Sequence, residues 1–172
     1  SGDIAFHDPR DMEKFLEYLA KYTDIFDFRI HAFCLMPTHF HILAESGASA
    51  ELSEFMKRLL TAYTVFFNKR HNRHGHLFQG RFKSRVVDKA DYLLTLSRYI
   101  HLNPAEISRK KKYETYTGSS MRFYIKGGEP SWLHTQEILN WFKRERRAYR
   151  NYVKEGLNEK PSVKIINQPY IG

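Results

Sequence analysis

Two histidines separated by one large apolar residue, His39-Phe40-His41 in the stretch MPTHFHIL at 36–43, are the side chains best suited to chemistry in this sequence. In an extended strand successive side chains alternate, so both imidazoles share one face while Phe40 enters a core. Their Cα atoms then lie roughly 6.6 Å apart, a spacing at which two neutral imidazoles converge on one divalent cation. Further along, Tyr92, Leu96, Tyr99 and Asn103 fall on one side of a helix. From that spacing alone, Tyr99 and Asn103 read either as a core aromatic and a C-terminal cap or as two groups that reach the histidine face. The simpler reading is the first.

The elements that must position these groups follow from periodicity. Asp8 caps a helix that opens on Pro9 and carries Met12, Phe15, Leu16, Leu19 and Tyr22 on one stripe, predicting a helix to about residue 22. A loosely alternating, aromatic run predicts a strand over 26–36, and Pro37-Thr38 turns it into a second strand over 39–44. On that strand Phe40, Ile42 and Ala44 face one side, and His39, His41 and Leu43 the other. Residues 51–70 return to helical spacing. The segment KRHNRHGHLFQGRFK at 69–83 mixes basic residues with His71, His74 and His76. With no cysteine and no helical histidine spacing it reads as a phosphate-contacting loop rather than a zinc site. A short strand is predicted over 82–87, and a helix capped by Asp88 that ends near Asn103, before Pro104. After the basic run at 109–112, Tyr113, Tyr116 and Tyr124 read either as base-stacking aromatics or as buried ones. A final helix is predicted over 135–154. The whole divides into a domain at 1–126 and a basic helix and tail at 127–172.

The bulk numbers bound the function. Lysine and arginine number 28 against 19 aspartates and glutamates, a net charge of +9 with pI ≈ 9.6. Such a balance points to a polyanionic partner, nucleic acid before membrane. A single cysteine, Cys34, precludes an internal disulfide and fits a reducing cytoplasm, with nucleoid association expected of a DNA-binding chain. No apolar run reaches the roughly 20 residues of a membrane span, and Ser1-Gly2 reads as the remnant of a removed tag rather than a leader.

Three stretches together, MPTHFHIL at 36–43, GHLFQGRFKS at 75–84 and YLLTLSRYIHLNP at 92–104, resemble the single-tyrosine HUH transposases (IS200-like), and among them the REP-associated tyrosine transposase branch. The likeness runs over about 4–142. It implies an α+β fold with a ferredoxin-like or RRM-like antiparallel sheet, helices packed on it and a C-terminal helical extension. Family members usually begin with a strand ahead of the segment matching 4–11, so the sheet is expected to lack one strand here. The resemblance further implies that His39 and His41 are metal ligands, that Asn103 completes the metal site, and that Tyr99 is the nucleophile. That overrides the core reading of Tyr99. The implied cofactor is Mg²⁺ or Mn²⁺, and the implied partner is single-stranded, hairpin-bearing DNA, held by a monomer or a homodimer. Arg73, Arg81, Lys83 and Arg85 are the expected backbone contacts. Two other readings stand beside the strand transferase. One is a hairpin-DNA binder without catalysis; the other is a phosphodiesterase that acts through water.

Overall fold

The computed structural model describes residues 4–46, 49–78, 82–84, 86, 90–107 and 113–158. The chain is α+β: a two-stranded antiparallel sheet sandwiched between helices, with short helices following at the C-terminal side.

Helix α1 (Pro9–Phe26) starts as its cap dictates, the Asp8 carboxylate accepting from the backbone N–H groups of Arg10 and Asp11. It runs four residues past the expected end. Thr23 is buried, Phe26 packs edge-on against Phe55, and Asp27 stops the helix in the left-handed conformation at φ 53. Helix α2 (Ser49–Arg70) lies against α1, and Arg70 at its end binds both Asp8 and Asp11. Asp11 is fully buried, and His71 Nε2 sits 3.0 Å from its carboxylate. His71 thus meets the carboxylate that pairs with Arg70, and among the described residues no three His, Cys, Asp or Glu side chains gather where they could hold a metal.

Strands β1 (Phe28–Met36) and β2 (His39–Ser46) form the hairpin, with Met36 opposite His39 and Cys34 opposite His41. The register slips between Ile30 and Ala32, leaving His31 as an extra residue. This bulge explains the loose alternation of β1, because one inserted residue reverses which side chains face which side. Phe28 and Ile30 before it, and Phe33 and Leu35 after it, all enter the core under α1 and α2. Ala32, Cys34 and Met36 enter a second core, shared with Leu96, Ile100, Tyr124 and Tyr149.

The other edge of β1 is also closed. Leu35 N–H donates to the Gly118 carbonyl (2.8 Å), Ser120 N–H to the Phe33 carbonyl (3.0 Å) and His134 N–H to the Ile30 carbonyl (2.7 Å). The hydroxyls of Tyr116 and Tyr124 bond the carbonyls of Leu35 and His31 at 2.8 and 2.6 Å. Tyr116 and Tyr124 thus close the sheet edge, and Tyr113 is buried in the second core, so the buried reading of these tyrosines holds. A Cβ on Gly118 would lie 2.8 Å from the Leu35 carbonyl oxygen and 2.9 Å from the Tyr116 ring. Backbone cannot yield as a side chain does, so Gly118→Ala is expected to destabilise the fold by about 1–3 kcal/mol, read as a lower urea midpoint.

Three sequence expectations are corrected. Helix α3 (Ala90–Ile107) continues through Pro104 instead of ending before it. Proline there removes only one N–H near the helix end, and its ring is buried, so three more residues follow. Residues 82–84 and 86 lie in no strand, Phe82 packing instead against the first core. The single helix expected over 135–154 is three pieces: α5 (Gln136–Leu139), a 3₁₀ turn (Asn140–Phe142) and α6 (Arg146–Glu155), preceded by the short α4 (Met121–Lys126), which the sequence did not announce. The break is a paired hydrogen-bond stop, Arg144 N–H to the Leu139 carbonyl (2.9 Å) and Lys143 N–H to that of Asn140 (3.0 Å). The left-handed residue that closes it is Lys143, at φ 52. With lysine where glycine is usual, the stop carries no sequence signal.

Candidate active site

Alternation along β2 does what the sequence requires. Phe40 turns into the first core against Phe15 and Phe78, at ring distances of 5.0 and 5.6 Å. His39 and His41 turn to the opposite face, with centroids 5.0 Å apart and ring planes at 88°. His41 is 2% exposed, whereas His39, beside the turn, is open to solvent. The Thr38 hydroxyl lies 3.1 Å from His39 Nδ1, which turns Nε2 toward any ligand. Desolvation lowers the His39 pKa, opposed by the charge of Glu106. That direction favours the neutral ring, the state a metal or a proton acceptor requires. Beneath the pair, burial pushes the Cys34 thiol far up, which makes it inert.

Helix α3 brings Tyr99 to this face, its ring meeting His41 edge-on at 5.7 Å. Asn103, one turn further on and 3% exposed, donates from Nδ2 to the Tyr99 carbonyl at 2.9 Å. Its amide oxygen is left as the group able to bind a cation. The structure thus gathers His39, His41 and Tyr99, with Asn103 on the same helix face as Tyr99.

The four arginines and lysines behave differently. Arg73 sits over the Phe67 ring at 5.9 Å, and Phe67 belongs to the core on the side of β2 away from the histidines. Lys83 is exposed. Arg81 and Arg85 lie outside the described residues, as does the expected cap Asp88.

Two residues of the site's surroundings escaped the sequence reading. Glu106 is exposed, three residues beyond Asn103, close enough for its charge to act on His39; Pro104 had argued that no helix would carry it there. His101, between Tyr99 and Asn103 but on the back of the helix, is fully buried. Its Nδ1 lies 2.6 Å from the Tyr149 hydroxyl and its Nε2 2.7 Å from the Ser120 hydroxyl. Tyr149 donates on to Ser97 (3.2 Å), Ser97 to the Leu94 carbonyl (2.8 Å), and Phe33 N–H donates to Ser120 (2.9 Å). In either neutral tautomer both ring nitrogens are paired, and the Ser120 hydroxyl also lies 3.2 Å from the Phe33 carbonyl. Burial lowers the His101 pKa to about 3, so the ring stays neutral. A lone histidine amid apolar residues gives no sign of such partners.

A His-x-His strand faced by a helix-borne tyrosine, on a strongly basic α+β domain, is thus the candidate site of this chain. The family model described as "Transposase IS200 like" matches residues 5–103, more than half of the chain. The protein belongs to the IS200-like transposase family, and its function is transposase-like processing of DNA. No curated protein and no solved structure matches it. Among the described residues, no helix is long and apolar enough to cross a membrane.

Proposed function

We propose that this protein nicks and rejoins single-stranded DNA next to a hairpin, through a covalent 5′-phosphotyrosine at Tyr99, and that it falls in the REP-associated branch of the family. The observation that carries the reading is the edge contact of His41 with Tyr99, residues 58 positions apart brought together within one chain. The branch assignment rests on the stretches GHLFQGRFKS and YLLTLSRYIHLNP.

His39, His41 and Asn103 would hold a divalent cation. The donor set fits: two imidazoles on one face, one with its pKa lowered, and an amide oxygen whose nitrogen is already engaged. Nitrogen and oxygen donors of this kind suit Mn²⁺ or Mg²⁺ with positions left for phosphate. When bound, the cation would supply Lewis-acid polarisation of the scissile phosphate and a template for in-line attack.

The chain's own residues do the rest. The Tyr99 oxygen forms a bond to phosphorus as the bond to the 3′-oxygen breaks. The phenol gives up its proton to solvent and the departing 3′-oxygen takes one up. A phenol with an ordinary pKa near 10 is a weak nucleophile at neutral pH, so orientation by the packed α3 helix matters. Because the ester is retained on the protein, the strand can be rejoined rather than lost to hydrolysis.

The test is a covalent-adduct assay with 3′-end-labelled hairpin DNA, whose label stays with the strand held on the tyrosine, and Mn²⁺ or Mg²⁺. We expect label at the mass of the protein on a denaturing gel, on the peptide that contains Tyr99 after proteolysis, and none when EDTA is present. Cleavage without adduct would mean attack by water. Tight binding with neither product would make the protein a hairpin binder.

A further inference from the structure

We infer that Trp141, with Lys143, Arg144 and Arg147, is a second DNA contact: a platform on which an unpaired base of the single strand stacks while its phosphates meet the basic side chains. This deepens the proposed function and rests on it for the identity of the nucleic acid.

Among the described residues the other aromatic side chains are buried or partly buried. Trp141 is 53% exposed, and no other Phe, Trp or Tyr among the described residues is exposed to that degree. A tryptophan left half in water forgoes much of its burial energy, and tryptophan is enriched at interfaces. Of the tyrosines that offered themselves for stacking in the sequence, Tyr116 and Tyr124 close the sheet edge and Tyr113 is buried.

Trp141 is also rigidly mounted. It lies in the 3₁₀ turn between two anchors: Leu139 is buried, and Phe142 packs against Tyr149 and Tyr152 at 5.4 and 5.3 Å. The hydrogen-bonded stop after it holds Lys143 and Arg144 in consecutive left-handed conformations, φ 52 and 63. Side chains rarely adopt that conformation, and such residues concentrate at binding sites. The turn leaves both residues exposed, and Arg147 as well. Arg144 Nε bonds the Asn140 side chain at 3.0 Å, which fixes the guanidinium and leaves its terminal amino groups to act as donors. Glu145, exposed in the same turn, is the one acid among these residues. A fixed π-face with flanking cations matches an unpaired base and its phosphates. Inside a duplex every base face is covered by its stacked neighbours, so an unpaired tail is the better occupant of the ring.

Tryptophan fluorescence gives the test, because the only other tryptophan is Trp132. The full-length protein and Trp141→Phe are titrated with a hairpin carrying a single-stranded tail and with the same hairpin blunt-ended. Binding is followed independently by anisotropy of a labelled DNA. The tailed hairpin should quench wild-type emission, and Trp141→Phe should lose that quenching. Trp141→Ala should bind the tailed DNA roughly 5- to 150-fold more weakly and the blunt DNA as wild type does. Replacing Lys143 and Arg144 together by alanine should flatten the salt dependence by about 0.7 for each phosphate that is no longer neutralised. Unquenched emission at saturation, with unchanged affinity in Trp141→Ala, would overturn the platform and leave the nuclease reading standing. Failure of the wild type to bind either DNA by anisotropy would overturn both.

Discussion

Phenylalanine at position 99 is expected to reduce covalent adduct and strand cleavage together, by roughly 10⁴-fold or more, with little change in DNA affinity or in stability. The substitution removes one oxygen and keeps the ring. The edge contact with His41, the packing of Leu96 and Ile100, and the bond from Asn103 to the backbone carbonyl at 99 all survive it. What disappears is the atom proposed to bond phosphorus. Removing a nucleophile leaves only binding and electrostatic help, which is why so large a factor is expected. Single-turnover cleavage of labelled hairpin DNA, run beside anisotropy binding, measures both quantities. Cleavage that persists in Tyr99→Phe would assign the attack to water and leave the tyrosine a wall of the site.

Alanine at position 101 is expected to destabilise the protein by about 3–5 kcal/mol, a large part of the 5–15 kcal/mol typical of a whole domain. The change opens a cavity in the second core and strips Tyr149 and Ser120 of a shared partner where neither is exposed. Urea unfolding measures the loss. The same histidine predicts a pH dependence. Its folded pKa of about 3 lies below the ordinary 6.5, so on acidification the unfolded chain takes up a proton that the folded chain refuses. The contribution is fully present above pH 6.5 and is lost as pH falls from there toward about 3. In His101→Gln the slope of stability with pH over that window should be shallower. An unchanged slope would place the acid sensitivity in other groups.

How much could be read beforehand depends on the range over which each signal acts. The alternation of β2 is local, so the shared face of His39 and His41 and the inward turn of Phe40 are legible from eight residues. The start of α1 is equally local, resting on Asp8 and Pro9. The face that carries Tyr99 and Asn103 follows from helical spacing, but spacing does not say what the face meets; the family likeness supplied that. Features set by tertiary packing were hidden. The bulge at His31 depends on which neighbours claim Ile30 and Phe33. Buried surroundings carry α3 through Pro104, and the helix stop at Lys143 uses a residue that ordinarily favours helix. The partners of His101 lie 19 and 48 residues downstream.

The closed outer edge of β1 has a consequence for the order in which the molecule assembles. The hairpin joins across a two-residue turn and can form early, but the strand's other neighbours arrive from residues 118–134. The helix bearing Tyr99 is wedged from behind by Ser120 and Tyr149, both made after it. Long loops must therefore close before that helix has a seat, and such closures slow folding. A chain emerging from the ribosome holds every group proposed for DNA breakage some forty-five residues before it holds the last of those that press the tyrosine into place. For the strand cleavage proposed above, competence that waits on residues made after the groups that would carry it is a form of restraint written into the topology.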